Sequence, residues 1–118
     1  MSMVDINVDG DIFSSIVLET PSSAAYLKQN HQVTLLFKET EVSIGKNLSG
    51  LISLRNRFKA KVIHIEKSDL LSKIFLKYKG KDIVSIISTR SVNKLELMQG
   101  DEVEWLVKTN EVSLLGEK

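Results

Sequence analysis

The chain has 118 residues, of which 42% are hydrophobic and 26% charged, and its formal net charge is +1. This composition suits one compact domain or two small ones. The near-zero net charge gives no global field that would attract nucleic acid or an acidic membrane, and the absence of cysteine excludes disulfide scaffolds, thiolate metal sites and cysteine nucleophiles.

In the first part of the chain, short runs of alternating apolar and polar residues are separated by turn residues, a pattern typical of β-strands. Asp9 and Gly10 form the turn between the first two runs. A short helix is predicted over residues 22–29. The predicted strands are residues 4–8, 12–18, 33–37 and 41–44.

The second part begins after a predicted linker at residues 47–50. A long strand is predicted over residues 51–65, with Phe58, Ala60, Val62 and His64 on one face. Ser91 is predicted to cap a short helix over residues 91–97. The other predicted strands are residues 72–78, 82–88, 102–107 and 111–115.

The two parts are related by a shift of seventy positions without a gap. Residues 38–44 match residues 108–114, and the same shift pairs Gly10 with Gly80. We therefore predict an incomplete first repeat over residues 1–48 and a complete second repeat over residues 49–118. The expected fold is all-β, with one short helix per repeat: tandem, small, OB-like five-stranded barrels, the first lacking its initial strand.

A barrel without its first strand exposes open sheet edges, which natural proteins cover. The cover has three possible sources: the other lobe, a neighbouring subunit or an upstream segment. The pattern therefore favours an oligomer or a longer natural chain.

Four motifs in the second part resemble those of the Mop (molybdenum–pterin-binding, TOBE-like) domain family. Residues 53–60 (SLRNRFKA) are similar to the family's Ser-Ala-Arg-Asn opening. Residues 87–91 (ISTRS) are similar to its Ile-Thr-x-x-Ser segment. Residues 97–103 (LMQGDEV) and 106–112 (LVKTNEV) are similar to its Leu-x-x-Gly-Asp-x-Val and Leu-Ile-Lys-x-x-x-Val segments.

The resemblance, which includes the tandem "dimop" proteins, implies a cytoplasmic protein that binds molybdate or tungstate for storage, homeostasis or sensing. It also implies a homo-oligomer with oxyanions at interfaces between units. Molybdate is a dianion that offers only acceptors, so its pocket must supply donors. Carried over position by position, the implied ligand residues are Ser53, Arg55, Ser88, Ser91, Lys108 and Thr109, with Lys38 from the first repeat.

The first repeat departs from this donor pattern. Leu18 and Pro21 stand where the second repeat has Ser88 and Ser91, and Glu39 stands where it has Thr109. A carboxylate beside a dianion is repulsive unless only its backbone N–H is used. The first repeat is therefore expected to lack a competent site of its own, while Lys38 contributes to a site completed by another unit.

Other interpretations remain open. The chain could be the ligand-sensing fragment of a molybdate-responsive transcription regulator or of a transporter ATPase, or an OB-like nucleic-acid-binding module. An enzyme is not expected, because no nucleophile has a base partner. The histidines, His31 and His64, lack metal-ligand spacing, and Trp105 is predicted to lie in the core. No segment is long and apolar enough to span a bilayer, so no membrane partner is expected.

Overall fold

The computed structural model describes residues 1–18, 20, 22, 27 and 29–116. Within these residues the chain forms nine β-strands and one α-helix. The strands are β1 (Ser2–Val8), β2 (Asp11–Val17), β3 (Val33–Leu36), β4 (Ser43–Gly45), β5 (Asn56–Lys67), β6 (Leu71–Tyr78), β7 (Lys81–Ser88), β8 (Glu102–Val107) and β9 (Ser113–Gly116). The helix is α1 (Thr89–Leu95). No helix in the described part of the chain is both long and apolar enough to cross a membrane.

The predicted all-β class is confirmed. One antiparallel sheet has five strands in the order β4-β8-β5-β6-β7, while β1 pairs with β2 and β3 pairs with β9. The helix predicted over residues 22–29 lies outside the described residues, apart from isolated positions. The predicted strands agree with the observed ones to within a few residues, except for the start of β5 at Asn56.

The long strand β5 connects two parts of the five-stranded sheet. Its first half pairs with β8 and its second half with β6, so the sheet curls around it. A bulge between Val62 and His64 shifts the register. Val62 is buried and His64 exposed, so the prediction that His64 shares a face with Val62 is wrong. The extra residue of the bulge turns the following side chains to the opposite face.

The last strand of each half pairs with the other half. Strand β4 adds to β8, with Ser43 opposite Leu106, and β9 adds to β3, with Ser113 opposite Leu36. These two residue pairs are related by the shift of seventy positions. The exchange is therefore reciprocal and gives the halves the self-complementary contact of a two-fold interface.

Buried serines form a second reciprocal contact. The Ser15 hydroxyl donates to the Val112 carbonyl at 2.5 Å, and the Ser85 hydroxyl donates to the Val42 carbonyl, also at 2.5 Å. Both serines are 0% exposed. Ser15 and Ser85 also differ by seventy positions, so the two hydrogen bonds are equivalent, one running from each half to the other.

The β1–β2 and β6–β7 turns also meet, and here the two halves differ in charge. Asp9 and Asp11 stand at positions equivalent to Lys79 and Lys81. Lys81 pairs with Asp9, and Lys79 lies 3.3 Å from Asp11. Two identical turns would place like charges together, whereas the aspartate and lysine versions attract each other.

An aromatic cluster fills the space between the halves. The Phe13 ring stacks on Phe58 at 4.1 Å, and the Trp105 ring lies 5.5 Å from Phe13 and 5.2 Å from Tyr78. Trp105 is 1% exposed, which confirms its predicted core position. Residues from both halves thus share one hydrophobic core.

A short 3₁₀ turn precedes the last strand of each half, Glu39–Glu41 before β4 and Thr109–Glu111 before β9. Each of these strands therefore begins two residues later than predicted. The N–H of Glu41 donates to the Lys38 carbonyl at 2.9 Å, and that of Glu111 to the Lys108 carbonyl at 3.0 Å. The predicted strand starts at residues 41 and 111 are wrong, because these N–H groups close turns instead of joining a ladder.

Candidate functional site

Four of the sequence-predicted ligand residues lie near the start of β5. Ser53 and Arg55 precede this strand, and Lys108 and Thr109 follow β8. The register pairs Asn56 with Val107, so Arg55 and Lys108 extend from neighbouring strand ends. We call these four residues the β5-start group.

Asn56 anchors this end of β5 to the first half. Its side-chain oxygen accepts from the Ser14 N–H at 2.7 Å, and its side-chain nitrogen donates to the Ser14 carbonyl at 2.8 Å. Asn56 is 0% exposed, so both bonds are shielded from water. The Arg55 Nε donates to the Ser14 hydroxyl at 3.4 Å, which holds Arg55 beside the same segment.

Lys108 extends from the end of β8 toward solvent. Its backbone is extended, and its carbonyl accepts from Glu111, so the 3₁₀ turn begins beside it. Among the described residues no carboxylate lies within ion-pairing distance of the Lys108 ammonium. The ammonium forms no salt bridge, but it lies close enough to Glu111 to lower the pKa of that carboxyl, so a bound anion competes with Glu111 for its charge.

The remaining two predicted residues of the second half lie at the end of β7. The Ser88 hydroxyl accepts from the Ser91 N–H at 3.0 Å and donates to the Ser91 hydroxyl at 2.9 Å. Ser88 is therefore the N-cap of α1, and the prediction that Ser91 is the cap is wrong. The helix begins earlier because Ser88, at the extended end of β7, can reach the N–H of Ser91.

Thr89 holds this end of β7 in place. Its hydroxyl donates to the Ser68 carbonyl at 2.7 Å and bonds to the Ser72 hydroxyl at 2.7 Å. Its N–H donates to the Leu70 carbonyl at 2.9 Å. The Ser88 and Ser91 hydroxyls, which we call the β7-end group, are therefore presented by a fixed turn.

The two groups lie at opposite ends of β5. Asn56, at its start, pairs with the end of β8, whereas Lys67, at its end, pairs with Ser72 beside the end of β7. A strand of this length spans roughly 36 Å when straight. The register therefore assigns the six residues of the second half to two groups, one at each end of β5.

Lys38 occupies in the first half the position that Lys108 occupies in the second, before the equivalent 3₁₀ turn. It is exposed, as is Glu39. Leu18, at the position equivalent to Ser88, is 82% exposed and offers no donor, while Pro21 lies outside the described residues. Of the predicted ligand residues, the described first half contributes Lys38.

Two glutamates, Glu41 and Glu111, each lie three positions after Lys38 and Lys108, where the halves meet. Burial raises the pKa of Glu111 above its ordinary value, and a hydrogen bond with Glu41 adds to the shift. Glu41 and Glu111 are equivalent positions, so they meet across the approximate two-fold axis. Elsewhere, the hydrogen bond from Lys46 lowers the pKa of Asp101, as does the one from the Met98 N–H.

Sequence reasoning did not identify three features of this region: the Asn56 anchor, the serine pair and the Glu41–Glu111 contact. The serine pair and the glutamate contact shared one signal, the shift of seventy positions, which aligns Ser15 with Ser85 and Glu41 with Glu111. Identical polar residues at equivalent positions of a repeat can meet on its symmetry axis. Asn56 has no such counterpart, and only the structure shows its contacts.

Comparison with known proteins places these features in a family. The family model described as "TOBE domain" matches residues 52–114. A molybdate-binding protein from Sporomusa ovata is 41% identical over 56% of this chain and 98% of its own, with a TM-score of 0.55. Molybdenum-pterin-binding protein 2 of Clostridium pasteurianum is 37% identical over 54% of this chain and 96% of its own length.

A longer structural match covers both halves. The structure of the cytoplasmic molybdate-binding protein ModG with molybdate bound superimposes with a TM-score of 0.89 at 26% identity, covering 98% of this chain and 84% of that one. This match supports the predicted tandem OB-like barrels.

The molybdenum import ATP-binding protein ModC of Brucella abortus is 36% identical over 73% of this chain, which spans only 24% of that relative's length. The family model and the near-complete coverage of small relatives agree with the four motifs found in the sequence. The chain belongs to the TOBE domain family, in its Mop-type, molybdenum-pterin-binding branch.

Proposed function

We propose that this chain binds molybdate or tungstate reversibly in the cytoplasm, for storage or homeostasis, without chemically altering the anion. The observation that carries the proposal is the match along 98% of the chain to a structure with molybdate bound. The exposed donors at both ends of β5 supply the chemistry that such a dianion requires.

The separation of the donors supports a site completed by a second subunit. In the β7-end group the Ser91 hydroxyl keeps its hydrogen for a ligand, whereas the Ser88 hydroxyl gives its hydrogen to Ser91 and must turn away from it to donate to an anion. The β5-start group offers the Lys108 ammonium. An oxyanion between two chains takes hydroxyls from one and a cation from the other. Ser53, Arg55 and the Thr109 N–H complete the cationic side, and Lys38 is an additional contact from the first half.

The composite arrangement also sets the stoichiometry. Each chain carries one β5-start group and one β7-end group, so a closed oligomer forms one site of this kind per chain. The first half adds none of this kind, because Leu18 and Pro21 stand where the second half has Ser88 and Ser91.

The direct experiment is equilibrium titration of the intact oligomer with molybdate, tungstate and sulfate, with the oligomeric state measured in parallel. Lys108→Ala and Ser88→Ala are each expected to weaken molybdate binding about tenfold to a hundredfold, because each removes a hydrogen bond to a charged ligand. Lys94→Ala is the matched control, since it removes an exposed cation from α1 outside both groups. Absence of binding by an intact oligomer would refute the proposal.

A second candidate is a sensing module attached to a transport ATPase. Its motivation is the 36% identity to part of an import ATP-binding protein, of which this chain spans 24%. It predicts the same anion binding, together with an ATPase domain in the same reading frame. Sequencing the transcript beyond both ends of the 118 residues distinguishes the two roles.

A further inference from the structure

A chain of hydrogen bonds joins the first half to one of the predicted ligand residues. The Ser14 hydroxyl donates to the Asp5 carboxylate at 2.7 Å and accepts from the Arg55 Nε at 3.4 Å. Ser14 belongs to β2 and Asp5 to β1, whereas Arg55 precedes β5. These bonds therefore cross the contact between the halves and end at the β5-start group.

Ser14 is shielded from water, unlike its two partners. It is 1% exposed, while Asp5 and Arg55 are both exposed. A buried hydroxyl is nearly always paired, and here it both donates and accepts. Because its hydrogen goes to Asp5, the oxygen presents a lone pair to Arg55. The direction of both bonds is therefore fixed.

The backbone of Ser14 holds the residue next to Arg55. Its N–H donates to the Asn56 side-chain oxygen at 2.7 Å, and its carbonyl accepts from the Asn56 side-chain nitrogen at 2.8 Å. One residue of β2 thus contacts two consecutive residues, Asn56 through its backbone and Arg55 through its hydroxyl. Since Asn56 pairs with Val107, Arg55 is held beside the strand end that carries Lys108.

The Arg55 guanidinium keeps donors for a ligand in this arrangement. Its Nε is bonded to Ser14, which leaves the two terminal amino groups. Among the described residues no carboxylate lies within ion-pairing distance of Arg55. Two N–H groups of one guanidinium can bind two oxygens of an anion. A side chain restrained in advance loses less entropy when the anion binds.

The polar pair is specific to the first half. The shift of seventy positions places Phe75 and Val84 where the first half has Asp5 and Ser14. Neither of those apolar side chains can continue a chain of hydrogen bonds. The pair is therefore not a general feature of the repeat, and it occurs in the half that contacts Arg55.

We propose that Ser14, aligned by Asp5, is a positioning residue for the oxyanion site, because it holds the Arg55 guanidinium with both terminal amino groups free for the anion. The inference rests on the proposed function, which assigns the anion to the β5-start group. The first half then acts on binding in two ways, by restraining Arg55 and by supplying Lys38.

The first test needs no ligand. The mobility of the arginine Nε–H groups is measured by ¹⁵N NMR relaxation of the full chain, with salt-bridged Arg57 and exposed Arg90 as references. The Arg55 Nε–H should be restrained in the natural chain and as mobile as that of Arg90 in Ser14→Ala. Asp5→Ala, a change at an exposed position, should raise its mobility in the same direction, because the hydroxyl can then turn freely.

The second test titrates the full chain with molybdate. Ser14→Ala is expected to weaken binding about threefold to tenfold, because Arg55 is then no longer restrained. In an Arg55→Ala chain the same change should have no further effect, since no guanidinium remains to be positioned. Ser85→Ala is the matched control: it removes an equally buried hydroxyl, bonded to the Val42 carbonyl, and should leave the affinity for molybdate unchanged.

Two results would overturn the proposal. One is an Arg55 Nε–H in the natural chain that is as mobile as that of Arg90. The other is molybdate binding in Ser14→Ala that is unchanged, weakened no more than in Ser85→Ala, or weakened equally when Arg55 is absent. No molybdate binding by a natural chain whose Arg55 is restrained would refute the proposed function itself, and with it the role of Ser14 at an anion site.

Discussion

The two halves of this chain share a strand pattern but differ in completeness. The second half has a five-stranded sheet with β5 at its centre, whereas the first half leaves β1 and β3 in separate sheets. The second half also contains six of the seven predicted ligand residues, and the first half retains Lys38. The segment over residues 49–70 thus provides both the central strand of the second half and two of its predicted donors, Ser53 and Arg55.

The incomplete half is held by contacts that it shares with the complete one. It exchanges its last strand, pairs its buried serine with a carbonyl across the interface, and shares an aromatic cluster. Its stability therefore depends on the second half. The following changes test that dependence, from the largest expected effect to the smallest.

Removing the Asn56 anchor is expected to cause the greatest loss of stability. Asn56→Ala leaves the buried N–H and carbonyl of Ser14 without partners, and the free energy of unfolding should fall by about 3 kcal/mol. Urea unfolding measures the change, with exposed Asn110→Ala as the control. A loss no larger than that of the control would show that Asn56 does not join the halves.

The two buried serines should have equal effects. Ser15→Ala and Ser85→Ala each remove one hydrogen bond to a carbonyl across the contact, so each should lower the free energy of unfolding by about 1–2 kcal/mol. The same urea experiment gives both values. Clearly unequal losses would contradict the two-fold equivalence of the halves.

Changing the charges of the turns should produce a smaller, salt-dependent effect. Asp9→Lys with Asp11→Lys replaces attraction to Lys79 and Lys81 by repulsion, so the melting temperature should fall. Adding Lys79→Asp and Lys81→Asp to this variant restores opposite charges and should recover most of the loss. If the quadruple variant melts no higher than the double variant, attraction between the turns does not stabilise the fold.

The Glu41–Glu111 contact predicts a pH dependence. The folded-state pKa of Glu111 is raised above its ordinary value of 4.5, mainly by burial and also by Glu41. Its contribution to stability is therefore present below that value and is lost as pH rises through the folded-state pKa. Glu111→Gln should unfold at higher urea than the natural chain near neutral pH, and the difference should shrink in acid.

The aspartates give the opposite dependence. Hydrogen bonds lower the pKa of Asp9, chiefly through Lys81, and of Asp101, chiefly through Lys46. Their contribution is present above the ordinary value and is lost as pH falls through the folded-state pKa. The natural chain and Glu111→Gln contain the same aspartates, so the difference between them reports only the pH dependence that is due to Glu111.

Much of the fold could be predicted from the sequence. Alternating apolar residues located β6, β7 and β8, and the shift of seventy positions revealed two equivalent halves with one strand missing. The exchange of β4 and β9 could not be predicted, because a strand has the same apolar pattern whichever half it joins. The bulge after Val62 was missed because the alternation continues through His64 and hides the extra residue.

The candidate site, like the fold, could be predicted only in part from the sequence. The motifs supplied the residue types, but not their separation along β5, because sequence order does not state which strand ends meet. The register of Asn56 with Val107 and of Leu71 with Ser88 supplied that information. The predicted helix cap was Ser91, whereas the observed cap is Ser88, three residues earlier. The sequence could not distinguish them because both carry a suitable hydroxyl.

Diffraction from tungstate-soaked crystals, measured at the tungsten absorption edge, is the most direct test of the proposed composite site. It is expected to reveal one tungsten position per chain, with Ser88 and Ser91 of one subunit and Lys108 of another around it. Tungsten bound beside Lys38 without those residues, or no tungsten between subunits of an intact oligomer, would contradict the account.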